Sequence, residues 1–199
     1  WKAIFECLNK IRAELKEHFP YRIIDVETAE ADDIIGTLCC EFGNTNEKIL
    51  ILSGDKDFQQ LQRFINVEQY DPVRKKKIVC NDPDRFLKEH IIKGDAGDGI
   101  PNILSEDNCF VVGKRQSPVT QKKLDSLIDL GLEGKYDHPN FRNFARNRQL
   151  IDLECIPEKI KTQVLESYEE QANKKRPDLL NYFISNRLRN LTESIGDFV

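Results

Sequence analysis

The run Ile49-Leu50-Ile51-Leu52 stops at Ser53 and is followed at once by Gly54-Asp55-Lys56-Asp57. Four consecutive branched aliphatics without alternation suit a strand buried on both faces, as in a parallel sheet covered by helices. Ligands bind at the carboxyl ends of such strands, and Asp55 and Asp57 stand there. Two ionised carboxylates held together repel, and protonation, solvent or a cation relieves the repulsion. A turn and helix cap leading into a short helix at Phe58-Gln59-Gln60-Leu61 accounts for the same residues without any ligand. A calcium loop is excluded, because Gln59, Gln60 and Asn66 occupy positions that need Asp or Asn, Gly and Glu. An Asp-x-Asp-x-Thr/Val phosphatase motif fails at Gln59.

The flanking segments set this strand in an α/β pattern. Lys2 to Leu15 has Ile4, Leu8, Ile11 and Leu15 on one helical stripe. Arg22 to Val26 reads as a strand, and Ala31, Ile34, Ile35, Leu38 and Phe42 as the apolar face of a helix. With the strand at 48–53 these form a predicted βαβ unit. Residues 66–80 read as a hairpin turning at Asp71-Pro72, and Asp82-Pro83 as a helix start that runs to Gly94. Helical spacing then recurs near 120–130, 141–150, 157–171 and 178–195.

Composition narrows the function classes. No apolar run approaches the roughly 18 residues of a membrane span, and the interspersed acids of the first helix argue against a signal peptide. The chain is therefore expected to be cytoplasmic, without a membrane partner. Six cysteines at irregular spacings and only three histidines make zinc improbable and suit a reducing compartment. The net charge of −4 disfavours a nucleic-acid binder as a whole, yet residues 111–148 carry eight Lys/Arg against four Asp/Glu.

Three segments place carboxylates at the ends of elements: Glu30, Asp32 and Asp33 at a helix start, Asp55 and Asp57 after the strand, and Asp95 and Asp98 in the glycine-rich loop 94–102. Acids at a helix amino terminus also complement its dipole, but three such clusters make coincidence the weaker explanation. An all-oxygen site suits Mg²⁺, with Mn²⁺ able to substitute. So many acids divide best between two ions roughly 4 Å apart, as in phosphodiester hydrolysis.

The order EADD, then an apolar strand with SGDKDF, then GDxxDxIP resembles the structure-specific 5′ nuclease family, which includes flap endonucleases and the 5′-exonuclease domains of bacterial DNA polymerases. Through EADDII, KILILSGDKDFQQL, NVEQYDPVRKKKIV and LLNYFISNRLRNLTESIGDF it is most similar to the T-even-phage-type ribonucleases H. The resemblance implies that Glu30, Asp32 and Asp55 serve one metal site and Asp57, Asp95 and Asp98 a second, with Asp32, Asp55 and Asp57 central to catalysis. It implies a helix-turn-helix-like element gripping duplex, for which Lys114, Arg115, Lys122 and Lys123 are the candidates. The family's glycine-hydrophobic-glycine potassium site has only Val112-Gly113-Lys114 here, so K⁺ lacks its usual residues.

The family begins with two aspartate-bearing strands and a basic arch, none of which precedes Trp1. Residues 1–199 are thus expected to be the carboxyl-terminal two thirds of a nuclease, inactive alone. The expected architecture is a partial parallel-sheet α/β core with helices on both faces over residues 1–104, then a mainly helical DNA-binding region over 105–199. The expected function is metal-dependent removal of nucleotides from 5′ ends of RNA·DNA hybrids, flaps or nicked duplexes, as in primer removal, in a phage-infected cell. Expected protein partners are a single-strand binding protein or sliding clamp. The rivals are a non-catalytic nucleic-acid-binding replication module of the same fold and a PIN-type ribonuclease.

Overall fold

The computed structural model describes residues 1–172 and 179–198. It divides into two compact units, one of residues 1–28 with 162–199 and one of residues 29–161. The boundary expected between 104 and 105 falls inside the second unit, whose packing crosses it: Ile91, Ile92, Ile100 and Ile103 share one core cluster with Leu124, Leu132, Phe144 and Ile151.

In the second unit, α2 (Ala31–Phe42) leads to β1 (Ile49–Leu52), a 3₁₀ helix (Asp57–Arg63) and the hairpin β2 (Val67–Asp71) and β3 (Lys76–Ile78). Helices α3 (Pro83–Lys93), α4 (Gln121–Leu130) and α5 (Phe141–Ile151) follow, and α6 (Glu158–Glu170) begins here. The sheet has the order β1-β2-β3, with β1 parallel to β2 and β2 antiparallel to β3. Its second core cluster joins Cys39 of α2, Ile51, Phe58, Leu61 and Val67 to Leu153 and Ile156. Helix α3 starts as its sequence dictates: Asp82 accepts a hydrogen bond from the Arg85 N–H at 2.9 Å, and proline occupies the first turn.

Two sequence expectations change. Residues 22–26 form no strand; the Ile23 N–H donates to Gln171 Oε1 at 2.9 Å, and Asp25 is held by Arg12 and Lys16 of α1 (Lys2–His18). A side chain thus satisfies this backbone where a neighbouring strand was expected. The parallel partner of β1 is β2, reached through the 3₁₀ helix. The run 49–52 is also buried on one face only. Ile51 is 5% exposed, whereas Leu50 and Leu52 are 56% and 64% exposed.

In the first unit, α1 forms as expected, but no residue in it is buried, and Ile4, Leu8 and Ile11 lie open. Its carboxyl end is anchored by rings, with His18 stacked on Tyr182 at 4.2 Å and Phe19 against Phe183. The helix expected over 178–195 is broken into α7 (Leu179–Ser185) and α8 (Arg189–Glu193), with Arg187 at φ 55° between them; residue 178 lies outside the described residues. All six cysteines are unpaired. Among the described residues no helix is long and apolar enough to cross a membrane.

A carboxylate cluster as candidate metal centre

The cluster lies wholly within the unit of residues 29–161, and each segment has a local reason for its shape. At the start of α2, Asp33 Oδ2 accepts from the Glu30 N–H at 2.9 Å, so Asp33 works as a cap while Asp32, one residue earlier, is free of that task. After β1, Ser53 Oγ accepts from the Asp55 N–H at 3.1 Å and Asp55 Oδ1 from the Asp57 N–H at 3.0 Å, a pair of tight side-chain turns. Gln69 on β2, fully buried, braces this loop from beneath by donating to the carbonyls of Ser53 at 2.9 Å and Asp55 at 2.6 Å.

The third segment turns at Gly94, which has φ +66° and whose hydrogen a Cβ could not replace, since that atom would lie 2.4 Å from the Ile100 carbonyl oxygen. This lets Asp95 and Ile100 pair as an isolated bridge, with Ile100 N–H donating to Asp95 O at 2.7 Å.

The three segments converge electrostatically. Burial, and then the charges of Asp55, Asp57, Glu30 and Asp33, push the Asp32 carboxyl up to about 6. Burial raises Asp57 as well, with Asp55 and Asp95 adding to the rise and His90 opposing it. Burial works against ionisation of Asp95 too, but hydrogen bonds from Lys56, the Gly97 N–H and His90 hold it down at about 2. Contact with Asp95 raises Lys56 in turn, and Asp57 and Asp98 add to that rise. Asp55 and Asp98 are exposed, Asp32 and Asp57 half-buried, and Asp95 is 6% exposed. Glu30 is exposed at the edge of the group.

His90 was not singled out by sequence reasoning. Ligand atoms of Asp57, His90 and Asp95 all lie within 4.8 Å of one another. His90 Nε2 is 3.2 Å from Asp95 Oδ2, and Nδ1 is 3.5 Å from Asp57 Oδ1. The only signal in the chain was its place five residues before Asp95, at the end of a helix whose last turn faces the loop.

The candidate duplex-binding residues lie apart from these acids in the chain, and all four are exposed. Lys114 pairs with Glu106 at 2.8 Å, and Lys122 and Lys123 sit in the first turn of α4 beside its cap Thr120. Residues 107–113 form turns, and α4 and α5 are the helices that follow the acidic loop. Arg142 and Arg146 of α5 both bind Asp107, a pairing that spacing did not reveal.

The family described as "T4 RNase H, C terminal" matches residues 83–198, and "5′-3′ exonuclease, N-terminal resolvase-like domain" matches residues 4–90. Ribonuclease H of Enterobacteria phage T4 is 31% identical over 205 residues, which is 100% of this chain and 67% of that protein. Flap endonuclease Xni of Shewanella woodyi is 33% identical over 113 residues, covering 51% of this chain and 44% of its own length. A T5 5′-exonuclease mutant shares the fold at a TM-score of 0.52 and 15% identity, over 73% of this chain and 68% of that one. With matched families over both halves and an alignment to the T4 enzyme that spans the whole chain, the chain belongs to the 5′-3′ nuclease family represented by phage T4 ribonuclease H.

Proposed function

We propose that this chain carries the metal-binding carboxylates of a 5′-3′ exonuclease and flap endonuclease, acting on 5′ ends of RNA·DNA hybrids or duplex DNA during primer removal in a phage-infected cell. The observation that carries the reading is the gathering of Asp32, Asp55 and Asp57, where burial first and then the neighbouring carboxylate charges push the Asp32 carboxyl up to about 6. An acid cluster that resists its own ionisation fits a divalent cation, and the buried Asp57 Oδ1 has no hydrogen-bond partner.

Glu30, Asp32 and Asp55 would hold one Mg²⁺, and Asp57, Asp95 and Asp98 would face a second, with Mn²⁺ as the natural substitute. Ions so held supply an acidified water and neutralise charge on the leaving 3′ oxygen. The protein's own part is positional. Gln69 fixes the Asp55 main chain, Lys56 and the Gly97 amide keep Asp95 ionised, and the Gly94 turn brings the third segment in. Lys114, Arg115, Lys122 and Lys123 would hold phosphates and so read the shape and end of the duplex, not its bases.

The test is release of short products from 5′-labelled flap and RNA·DNA hybrid substrates by the full-length enzyme in Mg²⁺, with and without chelator. Asp55→Asn is expected to abolish turnover, and Asp57→Asn to leave DNA binding with residual cleavage. Undiminished cleavage by both variants overturns the assignment. A protein that binds the substrates but never cleaves them in Mg²⁺ would instead be a binding module.

A further inference from the structure

The loop that carries Asp95 and Asp98 leaves α3 at Gly94 and comes back to its starting point at Pro101, where a Cβ added to Gly94 would lie 2.7 Å from the Pro101 carbonyl oxygen. Its two acids are held differently. Asp95 is buried, and its carboxylate is bound by the Gly97 N–H and by Lys56. Asp98 is exposed, and among the described residues no hydrogen bond or ion pair steers its carboxylate. The direction of Asp98 is therefore set by the backbone of the loop, and so by how the loop is closed.

Closure comes from α5. The last carbonyls of a helix have no partner within it. At the end of α3 the Gly94 N–H donates to His90 O at 2.8 Å and the Ile103 N–H to Ile92 O at 3.1 Å, and the carbonyl between them, that of Ile91, is met by Asn147 Nδ2 at 2.8 Å. The same nitrogen donates to Pro101 O at 2.9 Å, so one amide group spans the departure and the return of the loop. It cannot turn over. Arg146 donates to Asn147 Oδ1 from Nε at 2.9 Å and from Nη2 at 2.7 Å, which leaves only Nδ2 to face the carbonyls, and Nη2 reaches Pro101 O as well, at 3.0 Å. Buried carbonyls need donors in any fold. That need does not require a single, fully buried side chain to serve both ends of the loop that bears Asp98.

We infer that Asn147, oriented by Arg146, is a positioning residue for Asp98: by closing the loop it fixes one corner of the place proposed for the second ion. The inference rests on the two-ion assignment above. Asn147 touches neither ion nor substrate in this role. Mg²⁺ demands near-octahedral ligands, so a carboxylate whose direction drifts binds it badly.

The test is Mn²⁺ binding to the full-length protein, followed by electron paramagnetic resonance of the free ion, which counts ions and gives affinities whether or not nucleic acid is cleaved. Asp98→Asn identifies the binding step that belongs to the second ion. Asn147→Ala, which removes both donors without adding bulk, is expected to weaken that step roughly 10- to 100-fold and to leave the other within about twofold. Arg146→Gln, with Asn147 still in place, should weaken it less. Added to Asp98→Asn, Asn147→Ala should have no further effect on ion binding, because the ligand it positions is gone, whereas a residue that serves only the fold would give additive losses. Asn147→Ala leaves two carbonyls unpaired and can loosen the region, so amide NMR is the second measurement. The Gly97 and Ile100 resonances should move, while that of Ile49, bonded to Asn66 O beside the sheet, should not. Should Asn147→Ala fail to fold, Arg146→Gln decides by the same cycle. A wild type that binds two ions and an Asn147→Ala that binds them equally well overturn this inference alone, as do additive losses in the cycle. A wild type that binds no Mn²⁺ overturns the ion assignment and this inference with it.

Discussion

The Gln69 side-chain amide donates to the Asp55 carbonyl at 2.6 Å, so a residue of the neighbouring strand fixes the backbone of a proposed metal ligand. The same nitrogen reaches the Ser53 carbonyl, and Gln62 donates to Gln69 Oε1 at 3.3 Å, which leaves the amide few alternative orientations. Gln69→Leu keeps the volume and removes the donors. It is expected to cost about 1–3 kcal/mol through two part-buried carbonyls left unpaired and to raise the Mg²⁺ concentration needed for half-maximal activity. Thermal unfolding reads the first and metal titration the second. A variant that is less stable but has an unchanged metal requirement would reduce Gln69 to a fold residue.

Gly54 is the other constraint on that loop. A Cβ there would lie 2.9 Å from Asp71 Oδ2, and Asp71 cannot turn away because its Oδ1 accepts from the Val73 and Arg74 amides, each at 2.9 Å. Gly54→Ala is expected to destabilise by about 1–3 kcal/mol, the range for overpacking. Asp71→Ala should relieve part of that cost. A double-mutant cycle measures the coupling, and strict additivity would refute the clash.

Metal binding should depend on pH through Asp32. Its folded value of about 6 lies above the ordinary carboxyl range, so ionisation destabilises the metal-free fold above about pH 6, and this penalty disappears below the unfolded value of about 4. Asp95 has the opposite sign. Its value of about 2 contributes stability that is present above about pH 4 and is lost as pH falls toward 2. Mg²⁺ should therefore raise the unfolding temperature more at pH 7.5 than at pH 5.5, with apparent affinity falling up to about tenfold per unit below pH 6. Calorimetry at four pH values would show it, and a flat affinity from pH 5 to 8 would contradict it.

Lys122 and Lys123 are expected to supply salt-sensitive affinity without sequence preference. Each phosphate contact on duplex contributes about 0.9 to the slope of log affinity against log salt. Replacing both by Ala should flatten the slope and weaken all sequences alike. An unchanged slope would return these lysines to a solvated surface role.

Much of the site was legible because its chemistry is encoded locally. Asp82-Pro83 opens a helix, Gly94 closes it, and the hairpin turns after Asp71, each through a preference of one or two residues. The acid segments were visible for the same reason. What spacing could not supply was the identity of neighbours. Arg22 to Val26 has the composition of a strand, yet its backbone is met by Gln171, 148 residues from Ile23. Leu50 and Leu52 share the apolar character of Ile51, and only packing separates the open face of β1 from the closed one. His90 belongs to the same class, since an imidazole on a helix is ordinary until the partners of both its nitrogens are known.

Helix α5 has a consequence for how the site opens. The buried Asn147 side chain donates to the carbonyls of Ile91 at 2.8 Å and Pro101 at 2.9 Å, at the two ends of the Asp95 loop. One turn on, the Ile151 carbonyl accepts from Gln60 Nε2 at 3.0 Å, and the Leu153 N–H donates to Gln60 Oε1 at 2.9 Å, in the 3₁₀ helix that Asp57 begins. A single helix thus ties together the backbones that carry two of the three acidic segments. Amide protons of α5, of the 95–101 loop and of the 3₁₀ helix should exchange with solvent as one cooperative block, and a ligand gripping the outer face of α5 would slow that exchange in all three together.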